Sequence, residues 1–117
     1  MKYNKDNVFY KIINKEIQSD LIYEDDYVIA LNDIQPVAPV HVLVIPKADA
    51  VSFDDFMINH KDISSNFFQS VHKVANEILN LSDKGYRIIT NHKESASQTV
   101  FHFHVHIISG TKMNNLI

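Results

Sequence analysis

The sequence predicts an α+β sandwich: a five-stranded antiparallel sheet with one long and one short helix. Two observations carry that expectation. Five short segments are rich in β-branched and aromatic residues and are separated by Asp, Asn and Pro, while one stretch between Asp62 and Leu81 repeats with a helical period. A chain of 117 residues supports one core, so 1–117 is read as a single domain.

The elements follow in order. Val8, Phe9, Ile12 and Ile13 fall on one helical face, and Asp6 or Asn7 is placed to cap the first turn, which predicts a short helix. Leu21 to Tyr23, Tyr27 to Leu31 and Val40 to Ile45 read as strands. Phe67, Val71, Val74, Ile78 and Leu81 alternate steps of four and three, which lays one apolar stripe along the long helix, and Gly85 supplies a stop signal beyond it. Tyr86 to Thr90 and Val100 to Ile108 are again strand-like, and the polar stretch from His92 to Ser97 suits a hairpin connection. Short links between strands favour antiparallel pairing.

Composition narrows the chemistry. A net charge of -3 gives no basic footprint for a nucleic-acid backbone, which excludes polymeric nucleic acid as the expected partner. The absence of cysteine excludes disulfides, thiolate metal sites and a thiol nucleophile, so any demanding chemistry falls to histidine. No apolar run reaches the roughly 18 residues of a spanning helix, and Met1 to Asn14 has no signal-peptide core. The expectation is a cytoplasmic protein with no membrane partner.

His102, His104 and His106 alternate with Phe103, Val105 and Ile107. In a strand, side chains two apart share a face, so three imidazoles line one side and three apolar groups the other. Three readings are open. Histidine is tolerated on an exposed sheet face, where it means nothing functionally. A metal site is the second, but His102 and His106 would lie roughly 13 Å apart along a strand, so further ligands, His41 among them, would have to come from elsewhere. The third is attack at phosphorus, in which a neutral imidazole is the nucleophile and its neighbour supports the departing group. That chemistry also needs donors for the phosphoryl oxygens, and Asn91, Gln98 and Thr99 lie just upstream.

The segment Gln98-Thr99-Val100-Phe101-His102-Phe103-His104-Val105-His106-Ile107-Ile108 resembles the signature of the histidine triad family, His-φ-His-φ-His-φ-φ with φ apolar. The stretch Phe9 to Lys47 is similar to the nucleotide-binding branch of that family, notably in Lys11-Ile12-Ile13, Tyr23-Glu24-Asp25-Asp26 and Ala38-Pro39-Val40-His41-Val42-Leu43-Val44-Ile45-Pro46-Lys47, and Gly85-Tyr86-Arg87 and Asn91 fit as well.

The resemblance implies a purine nucleoside phosphoramidate hydrolase that cleaves at the α-phosphorus through a nucleotidyl-histidine intermediate. Cleavage of dinucleoside polyphosphates, or nucleotide binding for an interaction role, are the alternatives. His104 would be the nucleophile, His106 would contact the phosphate and assist proton transfer, and His102 and His41 would orient the catalytic imidazoles. Asn91, Gln98 and Thr99 would bind phosphate oxygens or the leaving group, and Asp33 would accept hydrogen bonds from the ribose. Val8, Phe9, Ile12, Leu31 and Ile34 would sandwich the base of an AMP or GMP moiety. No metal and no cofactor is expected. Relatives pair two five-stranded sheets in a homodimer. His60, His72 and His92 match no catalytic position and are read as surface or loop residues.

Three departures from the family pattern bear on function. The loop His92-Lys93-Glu94-Ser95-Ala96-Ser97 lacks the usual glycines, so its backbone is expected to be less free to adopt positive φ. Asn7 and Tyr10 stand in the vicinity of cysteines that bind structural zinc in bacterial relatives, and no such zinc is expected here. The tail Met113-Asn114-Asn115-Leu116-Ile117 lacks an aromatic and proline segment that reaches the other subunit in relatives, which leaves leaving-group preference open.

Overall fold

Alternation along the central strands builds the molecule, because each strand sends successive side chains into different layers. The computed structural model describes residues 1–115. Its strands are β1 (Leu21–Glu24), β2 (Val28–Asn32), β3 (Val40–Pro46), β4 (Arg87–Ile89) and β5 (Val105–Ser109). They form one sheet in the order β1-β2-β3-β5-β4, with every neighbouring pair antiparallel. The predicted fold class is therefore observed.

On one face, Val28, Ala30, Val42, Val44, Val105 and Ile107 join Phe103 in the main core. Helices α2 (Phe53–Asn59) and α3 (Ser64–Lys73) cover it with Phe56, Phe67 and Val71. The Phe56 and Phe67 ring centroids lie 4.8 and 5.2 Å from that of Phe103. Each fully buried ring contributes roughly 2–3 kcal/mol. On the other face, Ile29, Leu31, Leu43 and Ile45 pack under Phe9 of α1 (Val8–Ile13). Asn7 caps α1, its side chain accepting from the Tyr10 N–H at 2.9 Å.

The structure corrects the sequence reading in three places. The segment from Asp62 to Leu81 is not one regular helix. After α3 a π-helical turn spans Val74–Ile78, with Leu79 N–H donating to the Val74 carbonyl at 2.8 Å. The wider turn rotates the apolar stripe, so Ala75 is buried and Ile78 is 41% exposed. Helix α2 is an addition the periodicity did not reveal.

The third correction concerns the histidines. The ladder begins only at Val105, and the first half of the predicted strand Val100–Ile108 is unpaired and bends at Val100–His102. There Phe103 N–H bonds to the Ala50 carbonyl at 2.8 Å, outside the β3 ladder. Phe103, Val105 and Ile107 all enter the main core, which turns the alternate histidines toward the α1 face. His104 and His106 open onto a cavity, whereas His102 is fully buried behind them.

Candidate active site

The cavity lies between α1, the ends of β2 and β3, and the segment leading into β5, and holds about 530 Å³. That falls within the roughly 300–1,000 Å³ of small-ligand sites. Apart from His102, every predicted site residue lines it. Val8, Phe9, Ile12, Leu31 and Ile34 form its apolar wall; Asp33 and His41 sit beside His104 and His106; and Asn91, Gln98 and Thr99 come from the loop. Ile34 is 92% exposed and Val8 41%, so this wall has apolar surface left for a ligand to cover.

Hydrogen bonds determine the tautomers. His104 Nδ1 lies 2.7 Å from the His102 carbonyl. A carbonyl only accepts, so Nδ1 carries the proton and Nε2 keeps its lone pair. Val37 N–H donates to His41 Nδ1 at 3.1 Å, which places the His41 proton on Nε2. That Nε2 lies 2.9 Å from His106 Nδ1 and 3.3 Å from an Asp33 oxygen. His106 Nδ1 therefore accepts, and its Nε2 carries a proton. A lone pair on His104 and an N–H on His106 thus stand on rings whose centroids are 5.1 Å apart.

Burial disfavours the charged form of the three triad histidines. The His104 pKa is lowered by desolvation, opposed by its bond to the His102 carbonyl and by Asp33. His106 is pushed down to about 4 by desolvation, then by the neighbouring His104 and His41. His102 is also lowered to about 4, with desolvation the largest cause.

His102 supports the site from behind. Its Nε2 donates to the Pro46 carbonyl at 2.7 Å, and the Tyr3 hydroxyl donates to its Nδ1 at 2.5 Å. It meets His104 through its backbone carbonyl, not through its imidazole. Tyr3 was not foreseen, because an isolated tyrosine 99 positions away carries no motif. Nor was the Val37 amide, since backbone donors leave no mark in a sequence.

The loop is held by Gln98. Its Oε1 accepts from Lys93 N–H at 2.8 Å, and its Nε2 donates to the Val51 and Val100 carbonyls at 2.7 and 3.1 Å. Both amide hydrogens are used, which leaves its side chain no donor for a phosphate. The loop adopts positive φ without glycine, at Lys93 (63°) and Ser97 (65°), contrary to the expectation from composition. His92 Nε2 ties it to Asp54 of α2 at 3.4 Å. His60 stacks on Phe56 and His72 is exposed on α3, both outside the cavity.

Asp33, His41 and His106 are the candidate metal ligands, with ligand atoms all within 4.8 Å of one another. The hydrogen bonds disfavour that use. A metal on His41 Nε2 would force the ring proton onto Nδ1, where it would meet the Val37 N–H donor to donor.

Comparison with known proteins agrees with this geometry. The HIT domain family matches residues 14–113. A HIT-like protein of Rickettsia prowazekii is 47% identical over 98% of this chain and 96% of its own length. The purine nucleoside phosphoramidase of Escherichia coli strain K12 is 34% identical over 97% of this chain and 94% of its own. The solved structure of a HIT family hydrolase from Clostridium thermocellum superposes with a TM-score of 0.87 at 43% identity, covering 97% of this chain and 98% of that one. With His104 and His106 lining the cavity, His102 buried behind them, and its fold matched nearly end to end, the chain belongs to the HIT domain family.

Proposed function

We propose that this protein hydrolyses purine nucleoside 5'-phosphoramidates, using His104 as nucleophile and needing neither metal nor cofactor. The observation that carries the reading is the unprotonated Nε2 of His104, in a cavity whose lining among the described residues includes no Lys or Arg. A polyphosphate chain carries several negative charges and calls for Lys, Arg or a metal. One phosphoryl group with an amine leaving group does not. This favours phosphoramidates over dinucleoside polyphosphates, and the Escherichia coli relative bears that activity in its name.

The nucleoside lies against Val8, Ile12 and Leu31, with its ribose hydroxyls donating to Asp33. His104 Nε2 attacks the α-phosphorus of the N-protonated phosphoramidate. The P–N bond breaks, its electron pair stays on nitrogen, and the amine leaves neutral. His104, now bonded to phosphorus, is cationic. Water then attacks phosphorus, the P–Nε2 electron pair returns to the ring, and the proton released by water is taken up by the amine. His106 Nε2–H, Thr99 and Asn91 donate to phosphoryl oxygens throughout, while Gln98 holds the loop that presents Thr99. Two copies are proposed to pair through edge strand β4, where Ile88 is 48% exposed.

The test is hydrolysis of adenosine 5'-phosphoramidate with a chelator present, by wild type and by His104→Ala. Turnover that collapses in the variant supports the reading. No wild-type turnover, or turnover that the chelator abolishes, overturns it.

A further inference from the structure

The peptide unit between His102 and Phe103 orients the proposed nucleophile. Its carbonyl lies 2.7 Å from His104 Nδ1, and its N–H bonds to the Ala50 carbonyl at 2.8 Å. The unit precedes the β5 ladder, which starts at Val105, so no neighbouring strand fixes its tilt. The His102 side chain steadies it instead, fully buried and bonded at both ring nitrogens.

Those two bonds come from distant parts of the chain. His102 Nε2 lies 2.7 Å from the carbonyl of Pro46, the last residue of β3. That carbonyl only accepts, so the ring proton sits on Nε2 and the buried Nδ1 needs a donor. The Tyr3 hydroxyl supplies it at 2.5 Å, from the segment ahead of α1. Tyr3 is itself seated: its ring meets those of Tyr10 on α1 and of His102 edge-on, at centroid distances of 6.1 and 5.5 Å. Burial pushes its hydroxyl up to about 12, so it stays a protonated donor near neutral pH. Helix α1 in turn lays Phe9 edge-on against His104, with centroids 4.9 Å apart.

We propose that Tyr3 is a positioning residue for His104 that acts through His102: its hydroxyl pins the buried imidazole and so holds the His102 carbonyl on His104 Nδ1. The kinetic side of the proposal rests on the phosphoramidate reading, in which His104 becomes cationic once its Nε2 is bonded to phosphorus. A hydrogen bond from a charged ring is roughly twice as strong as one from a neutral ring. A displaced carbonyl therefore penalises the transition state more than the substrate complex, and the loss falls on kcat.

The experiment measures kcat and KM on adenosine 5'-phosphoramidate, and the ring-nitrogen NMR signals of isotope-labelled histidine, in wild type, Tyr3→Phe and Ser70→Ala. Ser70 controls for softened packing: it is buried on α3, across the sheet from the cavity, where its hydroxyl donates to Asp25 Oδ2 at 2.6 Å. At a temperature where all three proteins are folded, Tyr3→Phe should lower kcat about three- to tenfold and change KM less than about twofold. Ser70→Ala should leave both at wild-type values. Wild-type His104 should show a protonated Nδ1 and a bare Nε2, and Tyr3→Phe should move both signals toward the average of the two tautomers. Tyr10→Leu, which unseats Tyr3 without removing its hydroxyl, should show the same signs at smaller size and stands in if Tyr3→Phe does not fold. Unchanged kcat or unchanged His104 signals in the folded variant, or an equal fall of kcat in Ser70→Ala, overturns the positioning role and leaves the phosphoramidase reading intact. No wild-type turnover overturns that reading, and the ring-nitrogen signals then decide the positioning role by themselves.

Discussion

His41 Nε2 lies 2.9 Å from His106 Nδ1, while the other nitrogen of His41 accepts the Val37 N–H. A backbone amide in the β2–β3 connection thereby sets the proton positions of two imidazoles and leaves the Nε2 proton on His106, a residue that lines the cavity. The proton arrangement of the site is written partly in its main chain.

Removing His41 should cost turnover more than binding. In His41→Ala the His106 Nδ1 loses its donor, and the ring is free to take the opposite tautomer, which would turn a lone pair toward the phosphoryl oxygens. The loss of one oriented hydrogen bond, about 1–2 kcal/mol, corresponds to a fall in kcat of about five- to thirtyfold. KM should move less, because the apolar wall and Asp33 remain. Steady-state kinetics on adenosine 5'-phosphoramidate would check the split, and a drop confined to KM would contradict it.

The pH dependence follows from the lowered histidines. Protonated His104 has no lone pair to attack with, and its pKa is lowered from 6.5, so the acid limb of kcat/KM should lie below pH 6.5. Stability carries the same sign. His102 has a folded pKa of about 4 against 6.5 unfolded, so between those values the unfolded chain binds the extra proton. Its contribution is complete above pH 6.5 and is lost as pH falls toward 4, by about 3 kcal/mol. Urea denaturation across that window should show stability falling with pH, with a smaller fall in His102→Gln.

Much of this site was legible because its signals are local. The alternation of His102, His104 and His106 with apolar residues indicated which side chains enter the core and which turn away, even though the ladder starts only at Val105. What stayed hidden was non-local or carried by backbone. Tyr3 reaches His102 across 99 positions, and the π turn at Val74–Ile78 shifts the helical period without any Gly or Pro to mark it. Helix α2 did have a local mark. Ser52 caps the helix by accepting from Asp55 N–H at 3.3 Å, and Asp55 reaches back one residue beyond the cap to Val51 N–H at 2.7 Å, so a Ser N-cap followed by acidic residues was readable from Ser-Phe-Asp-Asp.

Tyr3→Phe isolates one of those hidden contacts. The ring still packs edge-on against Tyr10 and His102, but the hydroxyl is gone and His102 Nδ1 is left buried without a donor. An unsatisfied buried acceptor costs about 1–3 kcal/mol. Chemical denaturation should show a loss of that size, and an unchanged midpoint would mean that water or a rearranged N-terminus replaces the hydroxyl.

The loop over the cavity stores strain that a single glycine should release. Lys93 sits at φ 63°, ψ -167°, a region occupied almost only by glycine, at a cost of about 1–3 kcal/mol for other residues. The conformation persists because Lys93 is held at both of its backbone polar groups: its N–H bonds to Gln98 Oε1 and its carbonyl accepts from Gln98 N–H at 3.0 Å. Lys93→Gly keeps both bonds and removes the steric cost, offset by about 1 kcal/mol of extra backbone entropy in the unfolded chain. The balance should be stabilising by up to about 2 kcal/mol, and calorimetry should show a higher Tm. Gln98→Ala should do the reverse, lowering Tm and, because Thr99 then loses its fixed position, lowering kcat as well. If Lys93→Gly lowers Tm instead, the loop does not hold this conformation in solution.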